Sequence, residues 1–178
     1  MKYNQVTIKD IAPELGISPS TVSRPLKDHP DISPQTKKAV NELAEKLNYQ
    51  PNIVALSLRQ SKTNTLGVII PELVHFFFST VISGIEDVAY SAGYNVSITQ
   101  SNESLQREKT DIKALFNSRV DGMLISVSRE TNSFDHIEGI LAKGVPMVFF
   151  DRVYENANSS MVIVDDLSGA KEATQHLI

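Results

Sequence analysis

The first part of the fold is decided by residues 7–24, TIKDIAPELGISPSTVSR. Thr7 and Asp10 have the spacing of a capping box, in which each side chain binds the backbone N–H of the other residue. The apolar residues that follow recur at helical spacing, which predicts a helix over about Ile8 to Leu15. Gly16 tolerates the left-handed backbone of a helix end, so it is well placed to stop that helix.

Two serine–proline pairs predict the starts of two further helices. Ser18–Pro19 and Ser33–Pro34 each combine a hydroxyl cap with a proline at the first helical position, where its missing N–H costs nothing. They predict helices over about 19–26 and from Pro34 onward. One face of the later helix carries the apolar residues Ala39, Val40, Leu43, Ala44 and Leu47. We therefore expect three short helices packed as one small bundle.

The short turn between the first two helices is typical of a helix-turn-helix. Hydroxyls and an arginine are exposed on the second helix, at Ser20, Thr21, Ser23 and Arg24. Such groups suit base edges and phosphates in the major groove, and Lys9, Lys37, Lys38 and Lys46 would attract the DNA backbone. Small bundles also expose such residues without binding anything, so periodicity alone leaves both interpretations open.

Charge and composition narrow the class of protein. Residues 1–62 hold nine Lys and Arg against six Asp and Glu, whereas residues 63–178 hold eight against fifteen, which indicates a basic module joined to an acidic one. The absence of cysteine excludes disulfides, thiolate metal sites and cysteine nucleophiles, and fits the cytoplasm. The sequence shows no signal peptide and no run of about 18 apolar residues, so we expect no membrane span.

From Leu66 onward, apolar segments of strand length alternate with amphipathic segments of helical length. The predicted strands are 66–70, 94–99, 122–127, 145–150 and 161–164, and the predicted helices are 77–91, 105–118, 134–143 and 167 onward. This alternation predicts an α/β doubly wound parallel sheet with helices on both faces. Ligands bind such sheets beyond the carboxyl ends of the strands.

Aromatic, neutral polar and charged residues stand at those strand ends and suit a small polar ligand. The predicted effector contacts are Phe77, Phe78, Asn102, Ser126, Asp151, Arg152 and Asp165. Each has a structural alternative: at least one of the consecutive phenylalanines must face the core, Asp165 or Asp166 would cap the next helix, and Arg152 would pair with Glu155.

The chain resembles the LacI/GalR family of bacterial transcription repressors. The segments TVSR (21–24), NYQPN (48–52) and LGVIIP (66–71) occur in the family's order and spacing, and a looser resemblance continues to the last residue. It implies base contacts at Pro19, Ser20 and Arg24 and phosphate contacts at Thr21 and Ser23. It also favours effector contacts at Phe77, Phe78 and Arg152. The further predicted DNA contacts are Thr7, Asn52, Ala55, Leu58 and Arg59.

The connector over residues 51–64 contains a short apolar segment that starts near Asn52. Isolated helices of fewer than about 12 residues are marginal in water, so a helix here should form only with a partner. The resemblance implies a hinge that pairs with a second copy over the minor groove, where Leu58 acts as a wedge beside Arg59. An ordinary linker packed on the next domain is the alternative.

Two prolines depart from the family's pattern. Pro13 falls within the first predicted helix and Pro25 within the second, where each removes a backbone hydrogen bond, to Lys9 and to Thr21, at a cost of about 3 kcal/mol. A small domain has a total stability of only about 5 kcal/mol. We therefore predict a kinked or weakened head that depends on dimerisation and DNA for order.

The resemblance implies three parts. These are an all-α helix-turn-helix head over residues 1–50, a hinge over 51–64 and the first lobe of a periplasmic-binding-protein-like core over 65–178. In the family a second lobe closes over the effector, and half a cleft buries too little ligand surface for normal affinity. The chain stops near the end of the first lobe, so we expect a fragment of a longer repressor or a truncated product that dimerises poorly.

No catalytic pattern stands out in the sequence. The four histidines lack the spacing of zinc ligands, and no nucleophile elbow or phosphate-binding glycine motif is present. The Asp165–Asp166 pair follows the fifth strand rather than the first, which argues against a phosphoryl-accepting receiver domain.

We expect a repressor, not an enzyme, that uses neither cofactor nor metal. It would bind a pseudo-palindromic double-stranded DNA operator as a homodimer and respond to a small metabolite, a sugar or sugar phosphate. The alternative is a soluble small-molecule binding module whose helical head serves assembly rather than DNA binding.

Overall fold

The computed structural model describes residues 6–52, 57, 62–74 and 76–178. The predicted hinge contacts Ala55, Leu58 and Arg59 lie outside the described residues. The chain divides into two compact units, residues 1–60 and residues 61–178. We call the first unit the head and the second unit the body, and each is described by itself.

Residues 6–52 of the head contain three α-helices and one short 3-10 helix. They are α1 (Ile8–Glu14), α2 (Pro19–Ser23), the 3-10 helix Pro25–Lys27 and α3 (Pro34–Lys46). A single apolar core joins them through the buried residues Ile11, Ala12, Val22, Val40 and Ala44. The predicted small bundle is therefore confirmed. Ala39 is exposed, contrary to the prediction, whereas the next residue, Val40, is fully buried.

The two interior prolines have different effects on the head. The first helix continues through Pro13 to Glu14 and is followed by Gly16 at a φ of 63°. In contrast, α2 ends at Ser23, three residues before the predicted end at Leu26. Pro25 has no N–H to donate to the carbonyl four residues earlier, and the chain tightens there into the 3-10 helix.

The body is a five-stranded, fully parallel sheet in the order β2-β1-β3-β4-β5. Its strands are β1 (Thr65–Ile70), β2 (Asn95–Gln100), β3 (Gly122–Ile125), β4 (Met147–Phe150) and β5 (Ser160–Val162). Its helices are α4 (Phe76–Ser91), α5 (Leu105–Asn117), α6 (Asp135–Leu141) and α7 (Asp166–Leu177). The predicted alternation of strands and helices is confirmed.

Apolar side chains cover both faces of the sheet. On one face, Ile112 and Leu115 of α5 and Ile137 of α6 pack with Ile69 and Phe149 of the strands. On the other face, Phe78 and Ile82 of α4 pack with Val68, Ile70 and Phe150. The sheet therefore lies between two layers of helices, as the sequence pattern predicts, and loops connect to the strands at both of their ends.

Three strands are shorter than predicted. The third ends at Ile125 instead of Val127, although the N–H groups of Ser126 and Val127 still donate to the carbonyls of Ile69 and Arg152 on the neighbouring segments, at 3.0 and 3.1 Å. The fourth begins at Met147 and the fifth covers only Ser160–Val162. The third and fifth strands end early, which lengthens the loops at the carboxyl edge of the sheet, whereas the fourth is shortened at its start.

The Asp121 side chain is hydrogen-bonded to the first residues of the body, just before β1. The N–H groups of Thr63 and Asn64 donate to the two carboxylate oxygens of Asp121, at 2.8 and 2.9 Å. The Asp121 N–H in turn donates to the Thr65 carbonyl, at 2.8 Å. The entry to β1 and the entry to β3 are thereby held together by one residue.

The last helix, α7, has no buried residue, and Leu167 and Leu177 are largely exposed on it. In the described part of the chain, no helix is long and apolar enough to cross a bilayer.

Candidate functional sites

The surface of α2 carries a cluster of hydroxyl groups and one arginine. Val22 is fully buried and anchors the helix to the head core, which leaves the residues around it at the surface. Pro19, Ser20 and Arg24 are exposed, and Thr21 and Ser23 are half-buried. The five predicted contacts on this helix therefore lie where a ligand outside the head can reach at least part of each side chain.

The Ser18 hydroxyl holds these groups in place. Ser18 Oγ accepts the Thr21 N–H at 3.2 Å and lies 2.7 Å from Ser20 Oγ and 2.8 Å from Thr21 Oγ1. All of these contacts are exposed, so each hydroxyl can exchange its protein partner for water or another acceptor at small cost. The sequence identified Ser18 only as a helix cap, whereas the structure shows it at the centre of the cluster.

Thr7 forms the predicted capping box with Asp10. The Thr7 N–H and the Thr7 hydroxyl both donate to Asp10 Oδ2 at 2.8 Å, and Thr7 Oγ1 accepts the Lys9 N–H at 3.3 Å. These hydrogen bonds hold the pKa of Asp10 below its ordinary value. Thr7 is exposed, so its hydroxyl serves the helix and also remains accessible from outside.

The lysines of the head differ in their exposure and in whether they form an ion pair with an acidic residue. Lys37 Nζ lies 2.6 Å from Asp28 Oδ1 and 3.3 Å from the Asp28 carbonyl oxygen, and its side chain is only 22% exposed. It ties the loop before α3 to that helix. Lys9, Lys38 and Lys46 are exposed, with Lys38 3.9 Å from Glu42. Asn52 is also exposed, at the end of the described head.

The three consecutive phenylalanines of α4 separate into one core residue and two surface residues. Phe78 is 5% exposed and packs edge-on against Phe150, with ring centroids 6.5 Å apart. Phe77 is 48% exposed and Phe76 is 85% exposed. The expectation that at least one ring faces inward is confirmed. Because Phe78 packs in the core, it cannot stack on a ligand as predicted. Phe77 is the predicted ring that a ligand can reach.

Arg152, at the carboxyl end of β4, is paired with a residue that the sequence did not identify. Both carboxylate oxygens of Glu103 accept from Arg152 Nη1, at 2.9 and 2.7 Å. The pairing with Glu155 that the sequence allowed is therefore not the one formed. Glu103 follows β2 and lies 49 positions away in the sequence, so only the sheet order brings the two residues together.

The other polar residues predicted at this edge surround that pair. The fully buried Ser126 hydroxyl donates to Asp151 Oδ2 at 3.0 Å. Asn102 accepts a hydrogen bond from the Gln100 side chain. Asn102, Glu103 and Asp151 all have positive φ, at 50°, 60° and 59°. Asn and Asp tolerate this conformation, but a glutamate rarely adopts it, so the backbone at Glu103 is held in place by its surroundings.

The Asp165 side chain caps the helix that follows it. Its Oδ1 accepts the Ser168 N–H at 2.9 Å and caps α7, which also lowers the pKa of the carboxyl. This is the structural alternative that the sequence had left open. Asp165 remains exposed, but its described contact stabilises the helix start rather than extending the Arg152–Glu103 pair.

A buried polar network lies next to the edge, and sequence reasoning missed it. Glu108 of α5 is fully buried, and its carboxylate accepts from the Ser128 N–H at 2.6 Å and the Thr131 hydroxyl at 2.9 Å, while His136 Nε2 lies 2.8 Å away. Burial raises the pKa of Glu108, but the hydrogen bonds from His136, Ser128 and Thr131 outweigh it, and the pKa lies below its ordinary value. The network fixes the loop that follows β3.

Among residues 6–52, 57, 62–74 and 76–178, no group of three or more His, Asp or Glu side chains is arranged to hold a metal ion. The groups at the edge are hydrogen-bond donors and acceptors around one ion pair, which suits the recognition of a polar molecule.

Two family models together account for nearly the whole chain. Residues 7–52 match the model of bacterial regulatory proteins of the lacI family. Residues 63–178 match the model of periplasmic binding proteins and the sugar binding domain of the LacI family. Both matches confirm the resemblance that was inferred from the sequence.

Individual relatives agree with these models. Catabolite control protein A of Priestia megaterium is 34% identical over 173 residues, and that of Staphylococcus xylosus is 36% identical over 176 residues; in each case 97% of this chain and 52% of the relative align. A crystal structure of the lac repressor dimer, bound to operator and the anti-inducer ONPF, matches with a TM-score of 0.82 and 26% identity, over 98% of this chain and 52% of that one. The chain thus spans about half the length of the relatives it matches.

Proposed function

Since this chain belongs to the lacI family of bacterial regulatory proteins, we propose that it acts as a transcription repressor whose head binds a pseudo-palindromic DNA operator as a homodimer. The observation that carries this proposal is the surface of α2 and its C-cap: Ser20 on the helix and Arg24 directly after it are exposed, and the buried Val22 fixes the helix to the core. An arginine can make two hydrogen bonds to guanine in the major groove, and hydroxyls can bind bases or phosphates. The crystallised lac repressor is a dimer on its operator, which supports the same arrangement here.

In this proposal Pro19, Ser20 and Arg24 approach base edges, and Thr7, Thr21 and Ser23 bind phosphates. Asn52 and the hinge residues Ala55, Leu58 and Arg59 add contacts next to them. Exposed Lys9, Lys38 and Lys46 supply attraction to the DNA backbone, whereas Lys37 is engaged with Asp28 and contributes less.

The body supplies the regulation in this proposal. A small sugar-like effector binds at the carboxyl edge of the sheet, where Asn102, Asp151, Arg152 and the accessible Phe77 lie, with Ser126 orienting Asp151. The match of residues 63–178 to a sugar binding domain supports this assignment. The protein is then a regulator rather than an enzyme, and it works in the cytoplasm, where the operator is.

Selection from a library of random duplexes, followed by mobility shifts at 50 and 200 mM salt, tests the proposal. We expect a preferred sequence with two related half-sites and an affinity that falls steeply with salt. Arg24→Ala should weaken binding to the preferred duplex by about 1–3 kcal/mol and relax its sequence preference. Arg107→Ala, on the exposed face of α5, is the matched control and should bind unchanged. Equal, weak binding to every duplex would refute the proposal and favour a head that serves assembly.

A further inference from the structure

The guanidinium of Arg152 is the half-buried cation of the proposed effector edge, and it already has an anionic partner. Both oxygens of the Glu103 carboxylate accept from its Nη1 atom, at 2.9 and 2.7 Å. A guanidinium has five N–H donors, and this pairing uses the nitrogen at one corner only. The positive charge of Arg152 is therefore matched, while donors remain for a neutral acceptor.

Glu103 is held firmly in this position. Its Oε2 also accepts the Arg129 N–H at 2.7 Å, so three hydrogen bonds converge on one carboxylate. The hydrogen bond from Arg152 is the largest of the effects that keep the pKa of Glu103 below its ordinary value, so the carboxylate is charged at neutral pH. The positive φ values of Asn102 and Glu103 show that the loop is bent to deliver this side chain.

The remaining charges around Arg152 are mostly negative. The carboxylates of Asp151 and Glu72 also act on its guanidinium, and Arg129 acts on Glu103. Two cations thus face three carboxylates. Among the described residues these charges already sum to a negative value, so a phosphate group would bring further negative charge to a region that repels it. Sugar hydroxyls suit the same groups, because they donate to the Asp151 carboxylate and accept from Arg152 and Asn102.

We propose that this edge selects uncharged polyhydroxy ligands, that is sugars without a phosphate group, and that Glu103 sets this selectivity by occupying Arg152. This inference rests on the proposed function, since it specifies the ligand class of the effector edge. Glu103 acts here as a specificity residue that occupies the place of a ligand's anionic group.

Matched pairs of free and phosphorylated sugars test the inference. We would titrate D-glucose against D-glucose 6-phosphate, and D-fructose against D-fructose 1-phosphate, into the full chain, following the amide signals of Asn102 and Asp151 by NMR. In at least one pair the free sugar should bind about tenfold more tightly than its phosphorylated partner. Tighter binding of the phosphorylated partner, or no binding by any of the four probes, would overturn the inference.

The variant Glu103→Gln tests whether the charge of this side chain, rather than its size, sets the selectivity. The variant keeps the size of the side chain and removes the carboxylate that is hydrogen-bonded to Arg152, so it should shift the ratio of affinities at least tenfold toward the phosphorylated sugar. Glu155→Gln, an exposed neighbour in sequence that does not pair with Arg152, should leave the ratio unchanged. An amide spectrum establishes that each variant is folded. An unchanged ratio in folded Glu103→Gln would contradict the inference, while DNA binding by the head, measured without sugar, decides the proposed function separately.

Discussion

The head and the body both use side-chain hydrogen bonds to shape a functional surface, but they place them at different depths. In the head, the hydroxyls of Ser18, Ser20 and Thr21 bind one another at the surface. In the body, Glu108 and Ser128 meet beneath the surface and are almost inaccessible to water. The same chemistry thus has two different energetic consequences in one chain.

Depth decides whether such bonds can be exchanged. An exposed hydrogen bond contributes only about 0.5–1.5 kcal/mol, because water replaces the lost partner. A buried donor or acceptor that loses its partner costs more, because nothing replaces it. The surface of α2 is therefore suited to give up internal bonds when it meets a partner, whereas the buried network keeps the loop after β3 in one conformation.

The largest test of this comparison is Glu108→Ala. We expect a loss of about 3–5 kcal/mol in the free energy of unfolding of the body, because the Ser128 N–H and Thr131 hydroxyl lose a buried acceptor. His136 would also lose its contact at Nε2, and its buried Nδ1 has no protein partner. Urea unfolding followed by signals of the body measures the loss. Glu86→Ala, at an exposed position of α4, is the control; an equal effect of the two changes would show that depth is unimportant.

The second test asks whether the backbone, rather than the side-chain network, limits the stability of the head. Pro13 is exposed and α1 continues around it, so Pro13→Ala restores an N–H donor for the Lys9 carbonyl with little repacking. Head stability should rise by as much as about 3 kcal/mol. Pro34→Ala, at the first position of α3, removes a proline that costs nothing and should give no gain. Thermal unfolding, followed by signals of the head, measures the stability of both variants. Equal unfolding midpoints for Pro13→Ala and Pro34→Ala would contradict the expectation.

The smallest test removes one exposed hydrogen-bonding group. Thr7→Ala should lower head stability by about 1 kcal/mol, and Thr7→Ser should change it by only a few tenths. Asp10 has a lowered pKa, so its stabilising effect is present above its unfolded-state pKa and disappears as the pH falls through its folded-state pKa. In Thr7→Ala the pKa of Asp10 should move only part of the way back toward its ordinary value, because the hydroxyl's hydrogen bond is lost while the backbone N–H of residue 7, the larger cause, still donates. NMR titration of that carboxyl measures the change, and a pKa that does not move would argue against the capping box.

Local signals in the sequence were enough to predict most of the elements. Ser18–Pro19 and Ser33–Pro34 open α2 and α3 as expected. Gly93 and Gly144 have positive φ after α4 and α6, where the sequence predicted helix ends. The error at the end of α2 came from extending apolar periodicity through Pro25, although that proline cannot donate the hydrogen bond that the extension requires.

The candidate ligand edge was harder to predict, because its pairs depend on distant contacts. The position of Arg152 at a strand end was visible, but the only ion-pair partner that the sequence suggested for it was Glu155, as an alternative to a ligand contact, whereas the structure pairs it with Glu103. Glu108 was treated as part of an amphipathic helix and its burial was not anticipated. A charged residue among the apolar positions of that helix was the available signal, since buried carboxylates require specific partners.

The Asp121 contact with Thr63 and Asn64 gives the start of the body a mechanical property. Tension on the chain at Thr63 does not reach β1 alone, because the carboxylate passes it to the first residues of β3 as well. The load is shared by two adjacent strands, whose ladder resists it in shear. A displacement that arrives there should therefore load β1 and β3 together instead of pulling β1 alone out of the sheet.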